Sequence, residues 1–177
     1  FAIGTPKEFI EKAKEKGLSG ITITDRNTFS GALDFYKKGK ELNFPVALGL
    51  ETFFIDNENN KVRIILIAKN QNGYFNLCKV ASNAWENEPT YKEPCISTYH
   101  LFELKDDLYC LCDNVDKHLE LFPIFQKNLF YELILSERNI DKNKAILNFD
   151  FQNVVTLDSY IPGPEYKGCQ NIMIENS

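Results

Sequence analysis

The sequence predicts an α/β fold built as an incomplete or distorted β/α barrel, with an open doubly wound sheet as the second choice. Two observations carry this. Strand-like and helix-like patterns alternate along most of the 177 residues, at spacings that suit parallel crossovers. Val62 to Ala68 is almost wholly apolar, as in a strand buried on both faces beneath helices. About six strands in one domain are expected.

The elements follow in order. Thr5-Pro6-Lys7-Glu8 is a capping box with proline at the first helical position, and Gly17 suits the exit, so a helix spans about 6–16 with Phe9, Ile10 and Ala13 inward. Ile21 to Thr24 is β-branched and ends at Asp25, which reads as a strand. Ala32 to Leu42 is a helix stopped by Pro45, and Val46 to Phe54 is the next strand. Asp56 to Asn60 is a polar turn before the Val62 strand, and Asn72-Gly73 opens a helix to about Trp85. Residues 86–94 form a loop, Ser97 caps a short helix to Leu104, and Leu108 to Cys112 is a strand. Asp116 to Gln126 is helical with a break expected at Pro123. Phe130 to Leu135 is a strand, Asp141 to Leu147 a short helix, and Val154 to Leu157 a strand ending at Asp158. Residues 161–168 read as loop.

Bulk properties exclude several classes. A hydrophobic fraction of 44% supports a sizeable core and argues against disorder. The formal net charge of −5 gives no support for direct nucleic-acid binding. No run reaches the ~18 apolar residues of a membrane span, and no signal peptide is visible. Cys78, Cys95, Cys110, Cys112 and Cys169 are odd in number without a C-x-x-C pair, so reduced thiols and a cytoplasmic location are expected. The chain opens at Phe1 rather than Met, so a fragment, a processed product or a numbering from the first residue seen is expected.

Function in such folds gathers at the carboxyl ends of strands. The polar residues expected there are Asp25 and Arg26, Glu51, Asp113, Glu132 and Asp158. They read either as a carboxylate ring for a divalent cation or as helix caps and ion-pair partners. Only His100 and His118 carry imidazoles, both on helices and both expected at the surface, so a multinuclear site lacks its usual donors. Cys110 and Cys112 face one side of a strand but have no zinc-type spacing to further ligands. No Gly-rich phosphate loop occurs.

Several segments together resemble a known family. Ile21-Thr22-Ile23-Thr24-Asp25-Arg26-Asn27, Phe29-Ser30-Gly31-Ala32-Leu33-Asp34-Phe35-Tyr36, Gly49-Leu50-Glu51, Ala68-Lys69-Asn70 and Gly73-Tyr74-Phe75-Asn76-Leu77 are similar to the PHP (polymerase and histidinol phosphatase) domain that opens bacterial DNA polymerase III alpha subunits. Phe130 to Leu133 and Val154 to Tyr160 resemble later strands of that domain. The likeness is dense from residue 6 to 85 and loose from 86 to 153, and it implies a single PHP-type barrel over 1–177.

The resemblance also implies where metal ligands would sit, and this chain departs there. The family's opening His-x-His strand has no counterpart in these residues. Arg26 stands at a family histidine, Arg63 at another, and Ser159 at a late one; the ligand after the fourth strand falls near Asn114, and a final pair at Gln170-Asn171. Asp25 and Glu51 keep their type as remnant ligand positions, with Asp158 and Glu132 weaker. A guanidinium stays charged and cannot ligate a cation, so Arg26–Glu51 or Arg63–Asp25 pairs are expected in place of metals. The implied function is a catalytically inactive PHP-like domain of a polymerase III alpha-like protein, structural or partner-docking in DNA replication, with no cofactor. The alternatives are a divergent PHP phosphoesterase or exonuclease using Mg, Mn or Zn, and a stand-alone module that mimics the polymerase domain. The implied partners are the rest of an alpha chain, itself a DNA-directed DNA polymerase, and a proofreading exonuclease or other replisome protein.

Overall fold

The computed structural model describes residues 4–56, 58–86, 93–134, 140–146 and 151–156. The first helix, α1 (Pro6–Glu15), begins where the sequence demands: the Thr5 amide donates to Glu8 Oε2 at 2.6 Å, and the Glu8 amide donates back to Thr5 Oγ1 at 3.3 Å. Its exit needs a left-handed residue, and Gly17 supplies it at φ +72°. The Gly17 and Leu18 amides then close on the carbonyls of Lys14 and Ala13.

The chain continues through β1 (Ile21–Arg26), α2 (Ala32–Glu41), β2 (Val46–Ile55), β3 (Lys61–Ala68), α3 (Gln71–Glu86), the two-residue β4 (Ile96–Ser97) and α4 (Thr98–Leu104). It then forms β5 (Leu108–Cys112), α5 (Val115–Phe125), a 3₁₀ turn (Gln126–Asn128), β6 (Leu129–Ile134), α6 (Ile140–Ile146) and β7 (Asn153–Thr156). Among the described residues, seven strands thus make one sheet, of order β1-β2-β3-β5-β6-β7 with β4 beside the end of β2. The sheet curls into a half-barrel. Only β3 runs against its neighbours; β1·β2, β2·β4, β5·β6 and β6·β7 are parallel. This is the distorted or incomplete barrel that the alternating pattern predicts. The extra strand is β4, too short to show a period.

The helix-covered face holds the main core. Leu50, Phe54, Ile64, Leu66, Leu108, Cys110, Cys112 and Leu129 from the strands meet Leu77, Val80, Leu101, Leu121 and Phe125 from α3, α4 and α5. Cys110 and Cys112 do face one side, inward; burial pushes the Cys110 thiol well above its ordinary range, so it stays protonated. Two smaller clusters flank the core: Ile10, Ala13 and Phe44 under α1, and Tyr131, Leu133 and Ile146 near β7.

Two expectations are corrected. The helix containing Pro123 does not break there but runs to Phe125, and the chain turns at Gln126, φ +49°. Pro123 lacks the donor for one helical bond, yet Leu121, Ile124 and Phe125 on either side are buried in or against the core. Those contacts hold the last turn. His118 is no surface residue but 3% exposed, while His100 is half-buried beside Ser97, the N-cap whose Oγ accepts the His100 amide. Asp158, Ser159, Cys169, Gln170 and Asn171 lie outside the described residues.

Candidate functional site

The strand registers assemble the site. Arg26 at the end of β1 pairs directly with Glu51 on β2, so both side chains leave the same face, away from the core helices. On the other side of β2, Phe53 pairs with Arg63 on β3. Continuing the β3·β5 and β5·β6 registers by two residues places Arg63 and Glu132 in one row across the sheet, with β5 between. Adjacent strands are roughly 4.8 Å apart, so an arginine and a glutamate on that row can meet over β5.

They do meet. Arg63 Nη1 donates to Glu132 Oε2 at 2.6 Å, and Arg63 Nη2 lies 3.1 Å from Glu51 Oε2. Arg26 Nε donates to Glu51 Oε1 at 2.5 Å. The result is an alternating row, Arg26–Glu51–Arg63–Glu132, that ties β1, β2, β3 and β6 together. Its burial is graded: the Glu132 side chain is 2% exposed, Glu51 9%, Arg63 20% and Arg26 62%. Burial works against the Arg63 charge, but Glu132 and then Glu51 more than offset it and hold the guanidinium above its already high ordinary value. Arg26 also lies over the Phe53 ring at 5.8 Å.

The loop after β1 is held as firmly. Asn27 takes a left-handed conformation at φ 53°, which asparagine tolerates. Its amide donates to the Glu51 carbonyl, its Oδ1 accepts the buried Thr52 hydroxyl at 2.8 Å, and its carbonyl accepts Trp85 Nε1 at 2.8 Å. The tip of α3 therefore clamps the backbone next to Arg26.

The sequence-derived candidates divide as follows. Arg26, Arg63, Glu51 and Glu132 come together, and the expected Arg26–Glu51 pair is present. Asp25 does not join them. One residue earlier on β1, it pairs with buried Leu50 and faces the helices, where its carboxylate accepts the Gly31 amide at 3.1 Å as α2 begins. Strand alternation forbids neighbouring residues from sharing a face, so an Arg63–Asp25 bridge gives way to the Arg63–Glu132 bridge. Asn114 caps α5 through Lys117 N, and the Asp113 carbonyl accepts the Tyr131 hydroxyl at 2.6 Å.

A second buried ion pair escaped the sequence reading. Asp56, 4% exposed, accepts from the amides of Glu58 and Asn60 and from Lys117 Nζ at 2.5 Å. Lys117 also reaches Glu120 at 3.2 Å. The lysine, followed by the loop amides, holds the Asp56 carboxyl well below the usual carboxylate range; Asp56 in turn holds the Lys117 ammonium above its own. The available signal was an aspartate four residues before an asparagine in a tight turn, which is able to bind its own loop.

A divalent cation of the phosphoesterase type needs several carboxylate, imidazole or thiolate donors around one point. Among the described residues, no group of three or more His, Cys, Asp or Glu is so placed. Glu51 and Glu132 already hold guanidiniums, so these side chains do not fit such an ion as they stand. Among the described residues, no helix is long and apolar enough to cross a membrane.

Comparison with known proteins agrees with this frame. The pattern of the PHP domain family matches residues 2–151. The DNA polymerase III subunit alpha of Borreliella burgdorferi is 31% identical over 152 residues, covering 80% of this chain and 12% of that protein. Its counterpart in Helicobacter pylori (strain ATCC 700392 / 26695) is 25% identical over 206 residues, covering 94% and 17%. The chain thus spans a small part of the length of these relatives. Among solved structures, a protein from Bifidobacterium adolescentis described as a metal-dependent phosphoesterase superposes with a TM-score of 0.59 at 14% identity, covering 92% of this chain and 84% of that one. An amidohydrolase from Chromobacterium violaceum gives 0.56 at 12% identity, covering 90% and 83%. At these identities the two structures speak to the fold alone.

Proposed function

This chain belongs to the PHP domain family, and we propose that it serves as a catalytically silent member, a structural and partner-docking domain in a DNA polymerase III alpha-like protein. The observation that carries the reading is Arg63, whose guanidinium lies between Glu51 and Glu132 with contacts of 3.1 and 2.6 Å. A fixed organic cation there neutralises the carboxylates and holds the strands, but offers no open coordination position and no bound water to activate. The row is a brace, and the domain's contribution is then its shape and surface. Its partners in this reading are the remainder of an alpha chain and, through docking, a proofreading exonuclease or another replisome protein; the similarity to polymerase III alpha subunits supports that context.

The test is metal content. The purified protein is dialysed against trace zinc and manganese and measured by elemental mass spectrometry, beside the Arg26→His/Arg63→His variant. Substoichiometric metal in the wild type supports the silent domain. Two or more tightly held metals per wild-type chain would refute it and make Glu51 and Glu132 the first residues to substitute in a phosphoesterase assay.

A further inference from the structure

His118 lies apart from the Arg–Glu row, and the brace makes no use of it. It sits in the first turns of α5, 3% exposed, with its ring 4.3 Å from Phe151 and 5.8 Å from Tyr131 between ring centroids. Tyr131 and Phe151 stack on each other at 8°. The imidazole Nδ1 is fully buried and, among the described residues, has no hydrogen-bond partner. A buried polar nitrogen without a partner is costly, and a buried unpartnered imidazolium costlier still.

Its neighbours define what it fastens. Tyr131, Leu133 and Ile146 form a small cluster with Val115 and Phe151, separate from the main core. Among the described residues, β7 pairs only with β6, over four residues, and Val155 is 58% exposed. The Tyr131 amide donates to the Gln152 carbonyl at 2.7 Å, and Asn143 Nδ2 donates to the Ile134 carbonyl at 3.0 Å. Among the described residues, this margin is held by the β6 ladder and the aromatic contact around His118, whereas β2 and β3 are paired along both edges.

We infer that His118 is an acid-sensitive latch: neutral, it closes the aromatic stack that holds the β7 margin against β6 and α5, and one added proton releases that margin ahead of the rest of the fold. Among the described residues, no nearby charge offsets its burial; the titratable groups closest to it are Tyr131, Cys112 and Asp113, with Asp116, Lys117 and Glu120 on α5. The Tyr131 hydroxyl donates a hydrogen bond to the Asp113 carbonyl, and burial pushes its pKa up to about 12, so it stays neutral. Cys112, at the end of β5, bonds the Asn114 carbonyl. On α5 itself, Lys117 is engaged with both Glu120 and Asp56. The rings of Phe151 and Tyr131 return part of the solvation an imidazolium loses. Burial still dominates and lowers the His118 pKa below its ordinary value. The closed form therefore binds the proton less well than the open form. The stabilisation is whole above the open-state value of ~6.5 and is lost as pH falls below it towards the lower closed-state value.

The test is amide hydrogen exchange of the whole chain from pH 7.5 to 5, corrected for the intrinsic pH dependence of exchange, with NMR or mass spectrometry resolving segments. Below ~6.5 the open population at residues 131–134 and 153–156 is expected to grow by up to about tenfold per pH unit, while residues 62–66 keep their protection. His118→Phe, neutral and aromatic, is expected to flatten that response; His118→Leu serves if the larger ring disturbs packing. Flat protection at 131–134 and 153–156 in the wild type overturns the inference. So does a parallel loss at 62–66, which would mark global unfolding, or an unchanged pH response in a folded His118 variant.

Discussion

Replacing Arg63 by methionine tests whether the Arg–Glu row is a brace. The side chain is 20% exposed and lies between Glu51 at 9% and Glu132 at 2%. Methionine keeps most of the length and removes the charge. Glu132 then loses its 2.6 Å guanidinium partner in a setting nearly closed to water. Removing one partner of a buried pair costs about 3–5 kcal/mol, because the remaining charge stays desolvated. Arg26→Met is the internal control. Arg26 is 62% exposed, so the same chemistry there is screened by solvent and costs about 0–1 kcal/mol. The assay is urea and thermal unfolding read through Trp85, the single tryptophan, which is bonded to the Asn27 carbonyl beside the row. For a chain of this size, each kcal/mol moves the melting temperature by about 2–4 °C, so Arg63→Met should fall by on the order of 10 °C. Adding Glu132→Gln removes the carboxylate that Arg63 neutralises, so the double variant should be less damaged than the sum of the singles, with a coupling of about 1–3 kcal/mol. Equal costs at Arg63 and Arg26, or additive costs at Arg63 and Glu132, would refute the reasoning.

Gly73→Ala is expected to destabilise by about 1–3 kcal/mol, since a Cβ there would lie 2.2 Å from the Asp107 carbonyl oxygen and the backbone has to shift; chemical denaturation measures it. Thr5→Ala removes one side of the capping box and should cost about 1 kcal/mol in the same assay, with hydrogen exchange increasing in α1 first. Lys117→Met should lower stability at pH 7. The Asp56 carboxyl is depressed in the folded state, so its contribution is present above the unfolded value of ~3.9 and lost as pH falls through the folded one. The variant's acid unfolding curve should therefore lie closer to its neutral value than that of the wild type.

Local structure was legible because it is written in local chemistry. The capping box at Thr5, Gly17 at the helix exit and the apolar Val62 strand each determine a backbone conformation within a few residues. The pairing of Arg26 with Glu51 was legible too, since both lie at ends of strands that a barrel sets side by side. Asp25 was misplaced because family resemblance identified a segment, whereas strand alternation decides the face residue by residue. Arg63–Glu132 and Asp56–Lys117 join residues 69 and 61 positions apart, and only the sheet order and the α5 docking bring them together. His118 looked like a polar helix residue because its burial comes from Phe151, which lies on no periodic element of its own.

The row also bears on why the sheet keeps its curl. Flattening the half-barrel would draw the faces of β3 and β6 apart, because β5 lies between them. Arg63 bridges that gap to Glu132 while its other nitrogen holds Glu51 on β2. A bidentate, planar cation can hold two carboxylates at a fixed angle, which an ammonium on a flexible stem cannot. Arg63→Lys keeps the charge, so a reading in which charge balance alone matters predicts near-wild-type stability. The bridge reading predicts that lysine reaches one carboxylate and gives up the contact to the other, recovering less than half of the methionine variant's loss. Urea midpoints of the two variants at constant slope decide between them.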